Sequence, residues 1–400
     1  MRWPSSRLRI LVSGMLAGVP HQGGATWAVL QYLLGFARLG HDVWFIEPVG
    51  ADAMPSVSAS LSGSTIAAYF EDVVRTCGLA EQAALVTNDR RTVGPTYRRL
   101  REAARTADVV VNISGTLTDP ELLDGARVRV YLDLDPVFNQ LWSEAEEPDR
   151  SFSGHSHFFT VGQSIGRPEC SIPTGGLEWI PTLPPVVLEH WRPAEWTERD
   201  AFTTIANWRS YGAVEHAGIR YGQKVHSLRR FVDAPARTGE RFVLALAIHP
   251  DERADRRALR DHGWRLVDPL AVAGTPSAYR RFIQGSVAEF GIAKSGYVDS
   301  GCGWFSDRSA CYLAAGRPVV AQHTGFDRFL PTGEGLFSFD TMQDLQFAVE
   351  EVRAHYGRHR GSARAIAQEY LDSDIVLTRF LELALATPIR LDGVAAGSGR

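Results

Sequence analysis

Short apolar runs alternate with amphipathic, helix-like segments in two separate series along the chain. In the first series, apolar runs at residues 8–12, 42–46, 109–113 and 128–132 are separated by segments whose apolar residues recur at helical spacing. A second series of the same kind begins at residue 202. Strands that alternate with helices form parallel sheets with helices on both faces. The sequence therefore predicts an α/β protein with two doubly wound, Rossmann-like domains that face each other across a cleft.

A proline-rich stretch separates the two series. Its prolines are Pro168, Pro173, Pro181, Pro184, Pro185 and Pro193. We therefore expect an N-terminal domain over residues 1–180, a linker over 181–199 and a C-terminal domain over 200–372. Residues 373–392 are predicted to form a helix that packs back on the N-terminal domain. Residues 393–400, rich in glycine and small side chains, are predicted to form a disordered tail.

Charge and cysteine content narrow the class of protein. The 42 basic and 46 acidic residues give a net charge of −4, so no basic field favours a nucleic acid or an acidic membrane as partner. The four cysteines show neither zinc-site spacing nor a disulfide framework, which favours reduced thiols and a cytoplasmic location. The first apolar run is too short for a signal peptide, and no run reaches the length of a membrane span.

Lysine is almost absent from the chain. Of the 42 basic residues, Lys224 and Lys294 are the two lysines. A chain that uses arginine by default keeps a lysine either by chance or where a compact ammonium group is needed. We therefore treat both lysines as candidate site residues, with chance retention as the alternative.

A glycine-rich loop follows the first predicted strand. Gly23 and Gly24 allow close backbone approach, and Thr26 is predicted to cap the next helix, so that free N–H groups could hold an anion. Neither a P-loop nor a dinucleotide fingerprint is present. The alternative is an ordinary strand-to-helix turn. His21 adds a polar side chain to the same loop.

Two further clusters carry polar chemistry in the N-terminal half. Asp133 and Asp135 end a predicted strand, and their spacing places both on one strand face if the strand continues. They could bind a metal, act as a base or hold sugar hydroxyls, whereas a turn beside Pro136 is the alternative. His155 and His157 share a strand face, but no third ligand is near in sequence. A metal site is therefore disfavoured, and His155 is expected to line the cleft.

Residues 293–326 form the segment with the most candidate binding residues. Its glycines lead into a predicted helix capped by Ser306, which leaves the amides of Arg308 and Ser309 near the positive helix end. That arrangement suits a diphosphate, to which Arg308 could add a charge-assisted contact. A capped helix without a ligand is the alternative.

The same segment reads LAAGRPVVAQHTGF over residues 313–326. It resembles the donor site of bacterial GT-B glycosyltransferases of the group 1, family 4-like type, in which a helix, A-x-G-x-P-V-V and a downstream glycine turn bind a nucleotide sugar. The resemblance implies a hexosyltransferase that moves a sugar from a nucleoside diphosphate sugar to a small-molecule acceptor, without a cofactor or a metal, as a monomer or homodimer. The donor-side candidates are Gly23, Gly24, Asn207, Arg209, Lys224, Lys294, Ser306, Asp307, Arg308, Ser309, Gly325 and Phe326. The catalytic candidates on the acceptor side are His21, Asp133, Asp135 and His155.

The chain lacks two glutamates that are typical of this family. Retaining members carry E-x7-E, and the matching positions here are Gly303 and Cys311. Asp307 or Asp299 could replace the glutamate that holds the ribose hydroxyls. Retention or inversion, the nucleotide base and the acceptor therefore stay open, with an acceptor from specialised metabolism preferred on aromatic content. The alternatives are a sugar-nucleotide 2-epimerase and a non-catalytic cytosolic sugar-phosphate-binding protein.

Overall fold

The computed structural model describes residues 7–50, 61–145 and 152–386. The predicted tail at 393–400 and the last residues of the helix predicted at 373–392 lie outside this range. Within the described residues, no helix has the length and apolar character needed to cross a membrane. None of the four cysteines, all of which are described, forms a disulfide.

Within the described residues, the N-terminal domain is built on an eight-stranded sheet with the strand order β4-β3-β2-β1-β5-β6-β7-β8. The strands are β1 (Arg9–Ser13), β2 (Asp42–Val49), β3 (Ala83–Thr87), β4 (Thr92–Val93), β5 (Val109–Ile113), β6 (Val128–Asp133), β7 (His157–Thr160) and β8 (Trp179–Pro181). All pairings are parallel except that of β3 with β4. The helices are α1 (Gly23–Arg38), α2 (Thr65–Thr76), α3 (Tyr97–Arg105), α4 (Pro120–Leu123) and α5 (Phe138–Ala145).

In the part of the chain that the structure describes, the C-terminal domain has a six-stranded parallel sheet and a separate two-stranded hairpin. The strands are β9 (Arg199–Asn207), the hairpin strands β10 (Val214–His216) and β11 (Ile219–Tyr221), β12 (Phe242–Ala247), β13 (Arg265–Val267), β14 (Ser286–Gly291), β15 (Val319–Gln322) and β16 (Leu336–Phe339). The sheet order is β13-β12-β9-β14-β15-β16. The helices are α6 (Lys224–Arg229), α7 (Ala234–Thr238), α8 (Arg253–Asp261), α9 (Pro269–Ala273), α10 (Pro276–Gln284), α11 (Ser295–Ser300), α12 (Asp307–Ala314), α13 (Met342–Ala354), α14 (Tyr356–Ile366) and α15 (Ser373–Ala386).

Both sheets are strongly apolar, because strands covered by helices on both faces bury both sets of side chains. All five residues of β5 and all six of β14 are buried. The prediction of two doubly wound α/β domains is confirmed by this topology, which places the carboxyl ends of the strands along the cleft.

Helix α15 lies against α1 of the N-terminal domain. Phe380 packs on Phe36 and Phe159, with ring centroids 6.1 Å and 4.2 Å apart. A side chain at Gly35 of α1 would collide with Leu377 of α15. Leu377, Phe380 and the buried residues that follow recur at helical spacing, so one face of α15 is apolar. The chain therefore returns to its first domain at its carboxyl end.

The proline-rich segment between β8 and β9 is packed rather than exposed. Val186, Val187 and Trp191 are fully buried. The Val187 N–H donates to Gln31 Oε1 on α1 at 2.8 Å, and Trp191 meets Trp27 with ring centroids 5.0 Å apart. The segment predicted as a linker thus forms part of the core beneath α1.

The start of α1 differs from the prediction. The helix begins at Gly23, with Gln22 as the residue before it, so Thr26 lies inside the first turn and is not the cap. The Thr26 hydroxyl instead donates to Leu16 O at 3.0 Å. A local capping pattern was outweighed by packing, since the two glycines that open the helix lie against the other domain.

Candidate active site

A pocket of about 830 Å³ lies between the start of α1 and the carboxyl ends of strands in the C-terminal sheet. Three strands contribute their last residues to its wall: Asn207 from β9, Ala247 from β12 and Val267 from β13. The segment after β14 contributes the start of α12. The predicted site residues that line the pocket are His21, Gly23, Gly24, Asn207, Lys224, Asp307 and Arg308.

Glycines at the start of α1 let the two domains meet at the pocket. A Cβ atom at Gly23 would lie 2.6 Å from Ala273 O and would also collide with Thr275 O, and one at Gly24 would lie 2.9 Å from Tyr279 Cε2. Gln22 makes no side-chain hydrogen bond to cap the helix. The first N–H groups of this 16-residue helix therefore present partial positive charge at the pocket wall.

Lys224 is the first residue of α6 and is half-buried in the pocket wall. Within the described residues, its ammonium group makes no hydrogen bond and no ion pair. Burial lowers its pKa to about 7, and the positive charges of Arg308 and Lys294 act in the same direction, whereas the carboxylates of Asp307 and Glu289 oppose the shift. The pocket thus contains an unpaired cation that loses its proton near neutral pH and that an anionic ligand would stabilise.

Arg308 is held from beneath the pocket. Its Nε donates to Glu289 Oε1 at 2.5 Å, and its Nη1 donates to Ile205 O at 2.9 Å. Glu289 is fully buried. Ser306 caps α12 as predicted, accepting a hydrogen bond from the Arg308 N–H at 3.2 Å. The guanidinium charge is therefore balanced by a buried carboxylate, and Arg308 anchors the helix start to the sheet.

Lys294 lies away from the pocket, in a cluster that crosses the cleft. Its Nζ is 2.8 Å from both carboxylate oxygens of Asp135 and donates to the Tyr211 hydroxyl. Asp135 also accepts from the hydroxyls of Tyr211, at 2.5 Å, and Tyr297. The Lys294 ammonium lies 4.8 Å from the Phe138 ring centroid. These five residues, here called the interdomain cluster, join the loop after β6 to the C-terminal domain.

Asp133 and His155 do not reach the pocket. Strand β6 ends at Asp133 and the chain turns, so the condition for a shared strand face is not met and the alternative of a turn beside Pro136 holds. Asp133 is fully buried, accepts from Gln140 and Thr160 at 2.9 Å and 2.8 Å, and has a pKa raised by burial. His155 Nε2 lies 3.0 Å from Asn112 Nδ2, and burial lowers its pKa to about 4. Both side chains are internal supports of the N-terminal domain.

His21 lines the pocket from the loop before α1. It is exposed, has a positive φ of 64° and packs edge-on against Tyr69 with ring centroids 5.2 Å apart. The loop is fixed from below by buried Glu47, which accepts from the N–H groups of Ala17 and Gly18. The backbone conformation of His21 is uncommon for a residue with a side chain. The fold therefore holds an imidazole at the pocket mouth.

The remaining predicted residues lie outside the pocket wall. Arg209 points away and pairs with Glu252 at 2.5 Å. Ser306, Ser309 and Phe326 line a small buried space behind α12. Gly325 has a φ of 90° and forms the turn after β15, where a Cβ atom would lie 3.0 Å from Gly301 O. Within the described residues, no group of three His, Cys, Asp or Glu side chains is placed to hold a metal ion.

Solved structures with the same architecture are glycosyltransferases. An alpha-glucosyltransferase in complex with UDP and DNA matches over 94% of this chain and 100% of its own, with a TM-score of 0.60 and 13% identity. Anabaena HepE in complex with UDP-glucose matches over 95% and 100%, with a TM-score of 0.56 and 11% identity. AviGT4, a glycosyltransferase involved in avilamycin A biosynthesis, matches over 94% and 97%, with a TM-score of 0.51 and 13% identity. The chain has the GT-B fold. No family model matches the sequence, and no curated protein does.

The structure shows what surrounds Gly303 and Cys311, the two positions that match the family glutamates. Gly303 has a φ of 75°, and a Cβ atom there would lie 3.0 Å from Gln163 Cβ of the other domain. Cys311 is buried and accepts from Gln31 Nε2 at 3.6 Å, so its side chain faces α1. Asp307 is one helical turn earlier and lines the pocket. Asp299 is exposed and lies outside the pocket wall.

Several pocket residues of this GT-B chain were missed by the sequence analysis. They are His249, Arg256, Arg260, Asp268, Leu270 and Tyr279. Ligands of parallel α/β sheets bind beyond the carboxyl ends of the strands, and β12 and β13 both end at the pocket wall. Applying that rule to the residues after β12 and β13 would have found His249 and Asp268.

Proposed function

We propose that this chain is a glycosyltransferase that moves a hexosyl group from a nucleoside diphosphate sugar to a small-molecule acceptor. The observation that carries the proposal is Lys224, an unpaired, half-buried ammonium in a pocket between two Rossmann-like domains. A half-buried cation that forms no ion pair is costly, and an anionic ligand reduces that cost. The nucleotides in the solved structures of the same fold support a diphosphate as that anion.

The donor diphosphate binds Lys224 and the free N–H groups at the start of α1. Negative charge develops on the leaving nucleotide as the glycosidic bond breaks, and fixed positive groups stabilise it. In this proposal the chain's own cations carry out that role, and no metal ion is required. Asp307 accepts hydrogen bonds from the ribose hydroxyls in place of the family glutamate, since it lines the pocket and Asp299 does not.

The acceptor enters from the N-terminal domain. Of the four catalytic candidates, all of them in described parts of the chain, His21 alone lines the pocket. If the reaction inverts the anomeric centre, His21 is the general base that takes the acceptor proton. The carboxylate of Asp135 is occupied by Lys294 and two tyrosine hydroxyls, which leaves it poorly placed for that task.

The cellular setting is proposed on two further observations. The solved structure of AviGT4, which acts in avilamycin A biosynthesis, supports an acceptor from specialised metabolism. The four free cysteines support a cytoplasmic location, and we propose a monomer or homodimer as the working form.

The test is binding and turnover of nucleotide sugars. Calorimetry with nucleoside diphosphates should give saturable binding in EDTA, and Lys224→Met should weaken it at least tenfold. Arg257→Met is the matched control, since Arg257 is exposed on α8 and lies outside the pocket wall. Product analysis with an acceptor panel, followed by NMR of the anomeric proton, then assigns transfer and stereochemistry. Absence of binding by every nucleoside diphosphate would refute the proposal, and turnover without any acceptor to an epimerised donor would favour the epimerase.

A further inference from the structure

One end of the pocket carries charges of both signs that are not paired with each other. Within the described residues, the side chain of Arg260 makes no hydrogen bond and no ion pair, although it lines the pocket. Arg256, one turn earlier on α8, donates a long hydrogen bond of 3.4 Å to Ile248 O. Asp268 Oδ1 accepts from the Leu270 N–H at 2.9 Å, and no cation pairs with this carboxylate in the described parts of the chain.

This charged end lies across the sheet from Lys224. The pocket follows the strand order β13-β12-β9-β14. Lys224 is close enough to Arg308 and Lys294, which both follow β14, for their charges to lower its pKa. Arg260 and Asp268 lie at the β12–β13 end. Three strand spacings separate β13 from β14, which is about 14 Å. The ribose and base of a nucleotide can span that distance when its diphosphate lies at Lys224.

We infer that the base recognised at this end is guanine. Guanine presents two adjacent acceptors, O6 and N7, which an arginine can contact together, and two adjacent donors, N1–H and the N2 amine, which suit a carboxylate. Arg260, with Arg256 beside it, supplies the donors, and Asp268 supplies the acceptor. Leu266 and Leu270 line the same end of the pocket and offer apolar contact to a planar ring.

Uracil does not match the same set of charges. Its single N–H is flanked by two carbonyl oxygens, so a carboxylate that accepts from the N–H meets a negative oxygen on either side. Adenine places an amine where guanine has O6, opposite the arginine donors. The inference rests on the proposed function, because it assigns the base of the donor that the glycosyltransferase would use. It makes the donor a GDP-sugar.

The experiment is calorimetry with GDP, IDP, UDP, ADP and CDP on the full chain. Inosine lacks the N2 amine, so IDP isolates the contact to Asp268. The variants are Asp268→Asn, which keeps a helix-capping side chain on α9, and Arg260→Gln. Arg257→Gln is the control on the same helix. We expect GDP to bind at least tenfold more tightly than UDP, and Arg260→Gln but not Arg257→Gln to remove most of that preference. Asp268→Asn should abolish the difference between GDP and IDP.

The outcomes separate the two proposals. If UDP, ADP or CDP binds as tightly as GDP or more tightly, the guanine assignment is overturned while the glycosyltransferase proposal stands. A GDP preference that survives both Arg260→Gln and Asp268→Asn overturns the assignment of these residues. If no nucleoside diphosphate binds the wild-type chain, the proposed function itself fails.

Discussion

Lys294 and Asp135 join the two domains through an ion pair in which both carboxylate oxygens are 2.8 Å from the ammonium nitrogen. The two residues are 159 positions apart in sequence. Both side chains are largely buried, with 12% of Lys294 and 27% of Asp135 exposed. Both were predicted as site residues, and the fold uses them to connect the walls of the cleft.

Breaking this pair should loosen the closed arrangement. In Lys294→Met, Asp135 keeps two tyrosine donors but loses its counter-ion, so we expect a loss of about 1–3 kcal/mol in unfolding free energy, reduced from the fully buried case by partial exposure. Small-angle scattering should show a larger radius of gyration. Arg209→Met, which removes an exposed pair with Glu252, is the control and should cost less than about 1 kcal/mol. Unchanged scattering and stability in Lys294→Met would contradict a role in closure.

Nucleotide affinity should fall as pH rises above 7. The pKa of Lys224 is lowered to about 7, so the ammonium is protonated below that pH and neutral above it. A diphosphate binds the protonated form, and its dissociation constant should rise by up to about tenfold per pH unit between pH 7 and the higher pKa of the complex. Calorimetry from pH 6.5 to 9 checks this. Lys224→Met should bind weakly with a flat profile, and a flat wild-type profile would speak against Lys224 as the phosphate contact.

Gly23→Ala should disturb the domain contact beside the pocket. The added methyl group would collide with the carbonyl oxygens of Ala273 and Thr275, so either the domains separate or the backbone shifts. We expect a stability loss of about 1–3 kcal/mol and weaker nucleotide binding. Gly361→Ala on α14 is the control, because its methyl group meets no atom within 4 Å and should be neutral or stabilising. Equal melting temperatures for the two variants would refute the steric argument.

Substitution of Arg308 should lower the free energy of unfolding, apart from any effect on ligand binding. Arg308→Met leaves the buried carboxylate of Glu289 without a partner, which costs about 3–5 kcal/mol. The double variant Arg308→Met/Glu289→Leu should recover much of that stability. Denaturant unfolding measures both. If Arg308→Met proves as stable as the wild type, Glu289 is not the compensating charge.

Local patterns predicted the layers of this fold and some of the residues that line its pocket. Apolar alternation identified the main parallel strands, and Ser306 was correctly predicted as the cap of α12. Such signals are visible within ten to fifteen residues because propensity and periodicity are local properties.

Pairings over long distances left no such signal. The ion pair between Lys294 and Asp135 forms only when the two domains dock, and the same is true of the contact between Cys311 and Gln31. Asp133 was predicted to line the cleft, but it is buried. Whether Asp133 and Asp135 share a face depends on where β6 ends, and the ends of strands are the features that a sequence predicts least well. The carboxylate pattern therefore did not reveal that Asp133 is fully buried or that Asp135 pairs with Lys294.

The hairpin β10–β11 lies between Arg209 and Lys224 along the chain. The segment that leads into it carries Tyr211 across the cleft, where its ring meets those of Phe138 and Trp142 with centroids 4.9 Å and 4.6 Å apart. The pocket thus lies between two crossings, this one and the contact of Gly23 with Thr275. In the proposed transfer reaction, opening of either crossing would widen the exit for the spent nucleotide, so we expect substitutions that weaken a crossing to speed product release.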